Sequence, residues 1–157
     1  MEANYQAPKE YEEKVIEVKR VSKKTTGGSS MGFTALVVIG NKRGRVGSAL
    51  GKANDYASAV QKALQKARRS LIDVNLNNNT ISHEVSATFK ASEVYLKPAP
   101  KGSGIIAGGT VRAVVELAGI RDISGKMLGS NNKAANVICT IEALKKLKVP
   151  RKTNGTK

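Results

Sequence analysis

Residues 15–21 read Val-Ile-Glu-Val-Lys-Arg-Val, an alternation of apolar and polar side chains close to the two-residue period of a strand. Residues 33–39 form a nearly unbroken apolar run, short enough to be a mostly buried strand. The polar, basic stretch between them, 22–30, carries Gly27 and Gly28 and predicts a loop. Residues 40–44 (Gly-Asn-Lys-Arg-Gly) predict a hairpin connection, and 45–50 a third strand. Gly47 and Gly51 in that strand signal bulges or a close backbone approach. A helix then follows, with Asn54 or Asp55 as candidate cap and Ala57, Val60, Leu64, Ala67 and Leu71 as its apolar stripe. Lys62, Lys66 and Arg69 are spaced four and three apart, so they share a helix face, expected opposite that stripe. The polar run 75–80 reads as a boundary. Beyond it, strands are expected at 81–89 and 93–96, closed by Lys97-Pro98-Ala99-Pro100-Lys101. A glycine-rich segment, 102–109, leads into a helix at 110–118, a short strand at 120–123 and a last helix at 133–147, striped by Val137, Ile138, Ile141 and Leu144. The two halves share a general strand-then-helix plan, and no other internal repeat is visible.

Charge changes the picture. The 157 residues include 27 Lys and Arg against 12 Asp and Glu, a formal net charge of +15. No acid lies between Glu17 and Asp55, a stretch that holds Lys19, Arg20, Lys23, Lys24, Lys42, Arg43, Arg45 and Lys52. A field of one sign over a folded sheet repels itself unless a polyanion neutralises it, which points to nucleic acid. A membrane surface is the other polyanion, but it calls for an amphipathic basic helix with large apolar anchors. With no Trp and only two Phe, that partner is not expected. An aromatic content of 4% also argues against reading bases on a stacking platform and favours recognition of backbone and shape. The length fits one domain or two small ones, and a hydrophobic content of 40% supports a real core. A single cysteine, Cys139, excludes an internal disulfide and suits a reducing compartment. No run approaches a membrane span, and the first residues lack the basic-then-apolar order of a secretory signal.

Candidate chemistry is sparse. Residues 102–109 lack the Gly-Lys-Ser/Thr of a triphosphate loop and the glycine spacing of a dinucleotide fingerprint. Backbone N–H groups near Gly108, Gly109 and Thr110 can hold an anion, and a plain tight turn is the other reading. His83 is the only histidine and has no second imidazole to share a metal or proton; it reads as a surface or turn residue. Cys139, between Ile138 and Thr140, suits a small core position. Glu116 and Asp122 form no regular carboxylate pair. No catalytic residue, metal site or cofactor is expected.

These residues resemble the small-subunit ribosomal protein S5 family in its bacterial or organellar form. The likeness rests on Arg20-Val21-Ser22-Lys23, Gly44-Arg45-Val46-Gly47, Gly51-Lys52-Ala53 and the Lys62-to-Arg69 helix. In the second half it rests on the 102–109 segment, Val111-Arg112-Ala113-Val114, Leu117-Ala118-Gly119-Ile120 and Leu128-Gly129-Ser130-Asn131. It covers about residues 10–148. It implies an α/β (α+β) chain: a three-stranded sheet with one helix, similar to a double-stranded-RNA-binding domain, over 11–74, a linker at 75–82, and a left-handed β-α-β domain over 83–148. Residues 1–10 are then a flexible lead and 149–157 a basic tail. The family implies a structural, non-enzymatic role in the small subunit near the decoding centre and messenger entry path, with an influence on translational accuracy. Its implied partners are small-subunit rRNA and the neighbouring proteins four and eight. Its location is the ribosome of the cytoplasm, or of an organelle's matrix or stroma. The expected RNA-binding residues are Lys19, Arg20, Lys23, Lys24, Lys42, Arg43, Arg45, Lys52, Lys62, Lys66, Arg69 and Lys101. By resemblance, Val21, Ser22, Lys23, Lys24, Gly27 and Gly28 belong to a loop near the spectinomycin site. The family usually places arginines after Gly27-Gly28, where this chain has Ser29, Ser30 and Met31. A free-standing RNA-binding regulator and a phosphoryl-transfer enzyme of the second domain's fold are the rival readings.

Overall fold

A computed structural model describes residues 10–148; the expected tail at 149–157 and nearly all of the expected lead at 1–10 lie outside them. Strands β1 (Glu12–Thr25), β2 (Gly28–Gly40) and β3 (Arg45–Ala53) form an antiparallel sheet, joined at its edge by the two-residue β4 (Ile72–Asp73). The three expected strands are thus present, with a short fourth added. The basic stretch 22–30 is not a loop. Lys23 pairs with Ser30, Lys24 with Ser29 and Thr25 with Gly28, so β1 and β2 continue as a two-stranded ribbon to a tight turn. Cross-strand hydrogen bonding sustains these residues although residues 22–31 are all exposed. One irregularity, between Val15 and Glu17, bends β1.

Helix α1 (Tyr56–Arg69) packs on one face of this sheet. Its buried residues are Ala59, Ala63 and Ala67, whereas Ala57 is exposed and Val60, Leu64 and Leu71 are half-buried flanks. The stripe is therefore rotated from the expected one, and the cause is β3. A Cβ on Gly51 would overlap Ala59 O and Ala63 N, and one on Gly47 would lie 2.7 Å from Ala67 O. The register of β3 is unbroken, so close approach, not a bulge, explains both glycines. Asp55 stands at the N-cap, but its carboxylate accepts from Ser58 Oγ (2.6 Å) and caps no backbone N–H.

The second sheet has the order β5 (Val85–Phe89), β6 (Ser92–Pro98), β8 (Ile123–Gly129), β7 (Ile105–Ile106). β7 is parallel to β8 and linked to it through helix α2 (Gly109–Ala118), which makes a β-α-β unit. Helix α3 (Lys133–Lys145) lies against β5, β6 and α2. Asn132 accepts from Ala134 N and starts it. Two expectations move here. The first strand of this half begins at Val85, not 81, and the strand expected at 120–123 begins where that range ends and runs to Gly129. Cys139 is buried in the core, as expected, and its thiol donates to Ala87 O (3.0 Å). His83 is half-buried before β5, where its Nε2 accepts from Lys148 N (3.1 Å).

One apolar cluster joins the two sheets. Leu36, Val38 and Val46, on the sheet face opposite α1, pack with Val111, Val114, Leu117 and Ile120. The β2–β3 turn closes the contact from above. Lys42 N donates to Leu117 O (3.0 Å) and Gly44 N to Ala118 O (2.9 Å), which satisfies carbonyls at the end of α2.

Candidate nucleic-acid interface

Pairing across a sheet fixes which side chains share a face. On the face turned away from α1, the row of Lys14, Val38 and Ser48 and the row of Glu17, Leu36 and Leu50 are followed by the row of Lys19, Thr34 and Lys52. Val21 with Gly32, then Lys23 with Ser30, extend it along the ribbon. The second half of the chain covers Val38 and Leu36. Beyond them the same face is uncovered and cationic. Where β3 passes into α1, a concavity of about 300 Å³ is lined by Lys23, Lys52 and Lys62, with Ser22, Ser30 and Asn54.

Ion pairing divides the twelve expected RNA-binding residues. Near the second half, Lys42 holds Glu12 (2.9 Å) and Arg45 holds Asp73 (2.8 Å). The hydrogen bond it donates to Asp73, then the one it donates to Tyr11, holds the Arg45 guanidinium above its ordinary pKa. Lys19 stands 3.7 Å from Glu17. Arg20 donates across the ribbon to Met31 Sδ (3.0 Å), and Lys66 reaches Leu50 O (3.4 Å). Lys23, Lys24, Arg43, Lys52, Lys62, Arg69 and Lys101 have no carboxylate partner among the described residues. Three of these, Lys23, Lys52 and Lys62, line the concavity at the base of the ribbon, and Lys24 lies further out on it. Arg43 lies on the β2–β3 turn, and Lys101 is remote from them in the turn after β6. The basic face of α1 is not opposite its buried stripe. Lys62 and Lys66 sit on the flank beside β3, where they reach the concavity and Leu50 O.

Folding also assembles cations the sequence did not group. Arg112 of α2 and Arg121 line a second depression of about 360 Å³ with Lys42. Docking of the β2–β3 turn on the end of α2 brings Lys42 to the two arginines, and no local spacing signals that. In the glycine-rich segment Gly104 N donates to the buried Asp122 carboxylate (3.0 Å), and Gly108 stands at the N-cap of α2. Asp122 thus fastens the segment to the start of β8. Among the described residues no cluster of three or more His, Cys, Asp or Glu could hold a metal ion, and no helix is long and apolar enough to cross a membrane.

Residues 11–75 match the family model of the ribosomal protein S5 N-terminal domain, and residues 87–155 that of the S5 C-terminal domain. The chain belongs to the ribosomal protein S5 family. It is 50% identical to the small ribosomal subunit protein uS5 of Thermotoga maritima over 91% of this chain and 80% of that one. It is 51% identical to that of Thermotoga neapolitana over the same shares. With that of Mycoplasmopsis agalactiae it shares 51% identity over 92% of this chain and 63% of the relative. The S5 N-terminal match spans the first sheet and α1, and the C-terminal match takes in the β-α-β unit and α3. The ribbon and its unpaired lysines therefore lie within the S5 N-terminal match.

Proposed function

We propose that this S5-family chain is a structural component of the small ribosomal subunit that binds small-subunit rRNA, without catalysis of its own. One observation carries this reading: Lys23, Lys52 and Lys62, which have no carboxylate partner among the described residues, line one concavity where the first sheet leaves the cover of the second half. On the surface nearer the second half, Lys42, Arg45 and Lys19 are balanced by Glu12, Asp73 and Glu17, and the lysines of the ribbon and the adjoining concavity are left for an external polyanion. Lysines grip phosphates as point charges, so they position the chain on folded RNA and leave selectivity to RNA shape. In this role residues 11–74 face RNA, the linker at 75–82 divides the chain, and 83–148 face protein neighbours, with small-subunit proteins four and eight as the expected ones. A site near the decoding centre and messenger entry path, with an effect on accuracy, follows from the same reading. So does a location in the ribosome of the cytoplasm or of an organelle.

The test is binding of the full chain to a small-subunit rRNA fragment across a salt series. With about six phosphates engaged, log affinity against log salt falls with a slope on the order of −4 to −5. A slope near zero overturns the reading. Sedimentation separates it from a free-standing regulator: the chain stays with small subunits in high salt, and a regulator leaves them.

A further inference from the structure

We propose, resting on the RNA-binding role above, that the concavity at the β3–α1 junction is a seat for two adjoining phosphoryl groups. Lys23 reaches it from the ribbon, Lys52 from the end of β3 and Lys62 from α1, while Ser22, Ser30 and Asn54 supply neutral polar groups. No carboxylate lines it. Three lysines from three separate elements line this one concavity; like charges so placed repel one another until a multivalent anion arrives, and their summed charge exceeds what one singly charged group neutralises. Lysine heads with rotatable donors favour charge density over the planar fork geometry of guanidinium. No aromatic side chain lines the site, so a base has nothing to stack on and the phosphate end of a ligand enters. In the assembled particle the occupants are two consecutive phosphates of an RNA strand. For the free chain they are the phosphoryl groups of a free polyphosphate.

The experiment uses the full chain, a double variant of the seat, Lys52→Gln with Lys62→Gln, and a charge-matched control, Lys126→Gln with Lys133→Gln. Thermal unfolding is followed with and without tripolyphosphate at constant ionic strength. Tripolyphosphate raises the Tm of the parent and the control and leaves the seat variant unmoved, because a ligand of the native state stabilises it by mass action. On the rRNA fragment the seat variant loses about 1.5 from the magnitude of the salt slope. Competition by tripolyphosphate against RNA, in the parent but not the seat variant, assigns the seat to RNA backbone. A Tm rise without competition keeps the seat and assigns it to free phosphate compounds. Equal Tm rises in all three proteins overturn it, and that readout involves no RNA, so it stands apart from failure of the RNA-binding role. If the double variant does not fold, Lys23→Gln on the exposed ribbon replaces it, with a smaller Tm rise than the parent and a salt-slope loss of about 0.8; a Tm rise equal to the parent's overturns the seat.

Discussion

Gly51 shows how one side chain, by its absence, sets the position of a helix. Its missing Cβ lets Ala59 and Ala63 of α1 lie directly on β3, and the three alanines of the helix are small for the same reason. Gly51→Ala forces the helix outward at a cost of about 1–3 kcal/mol, the usual range for overpacking. Gly27→Ala, at the ribbon turn with open space around it, leaves urea stability nearly unchanged. Equal midpoints for the two variants would remove the close-approach account. Cys139 adds a dependence on pH. Burial pushes its thiol up from the ordinary value. Above pH of about 8.5 the unfolded chain releases the thiol proton while the folded chain keeps it. The unfolded state then binds fewer protons, so stability falls as pH rises. Urea unfolding of the parent and Cys139→Ala between pH 7 and 10 (about the thiol range) reads the effect. The parent loses stability relative to the variant in the alkaline half, and a constant difference contradicts the argument.

Among the elements, those that bury a periodic face were legible in the chain, and those that do not were missed. β2 announces itself by its apolar run and α1 by its spacing, although small alanines, not the larger Val60 and Leu64, carry the helix's burial. The outer ribbon has no hydrophobic period, because both of its faces meet solvent and only cross-strand hydrogen bonds hold it. β8 contains Gly125 and Gly129 and so resembles a turn in sequence. In the sheet it lies between β6 and β7, and a Cβ on Gly125 would stand 3.0 Å from the Leu96 side chain. The expected cations of the ribbon and of β3 do adjoin one another, whereas the grouping of Lys42 with Arg112 and Arg121 depends on long-range docking. The ribbon's composition also predicts its dynamics. With no buried apolar contacts beyond residue 21 on β1, its backbone opens locally at low cost. Amide exchange of Lys23, Lys24, Ser29 and Ser30 is therefore fast in the free chain and slowed on rRNA binding, while that of Val37 and Val38 is slow in both. Unchanged ribbon exchange on the RNA would exclude the ribbon from the interface.

At the scale of the molecule, the balance of charge and the division of the core describe one design. Carboxylates of β1 and β4 neutralise Lys42 and Arg45 close to the joint between the sheets, where an uncompensated charge would oppose docking. The joint itself is apolar: Leu36, Val38 and Val46 would lie open on the first sheet without α2. The turn that caps α2 belongs to the first sheet, so each half supplies what the other lacks. Such sharing makes unfolding cooperative across both sheets. Leu36→Ala, at the centre of the joint, costs about 2–5 kcal/mol, as for other large-to-small core changes. It lowers both halves together: urea curves followed by a probe on α1 and by a probe on α3 coincide in the parent and shift in step in the variant. Two separated transitions in the parent, or a shift confined to the α1 probe, would mean that the halves fold independently and that the apolar joint contributes little to either.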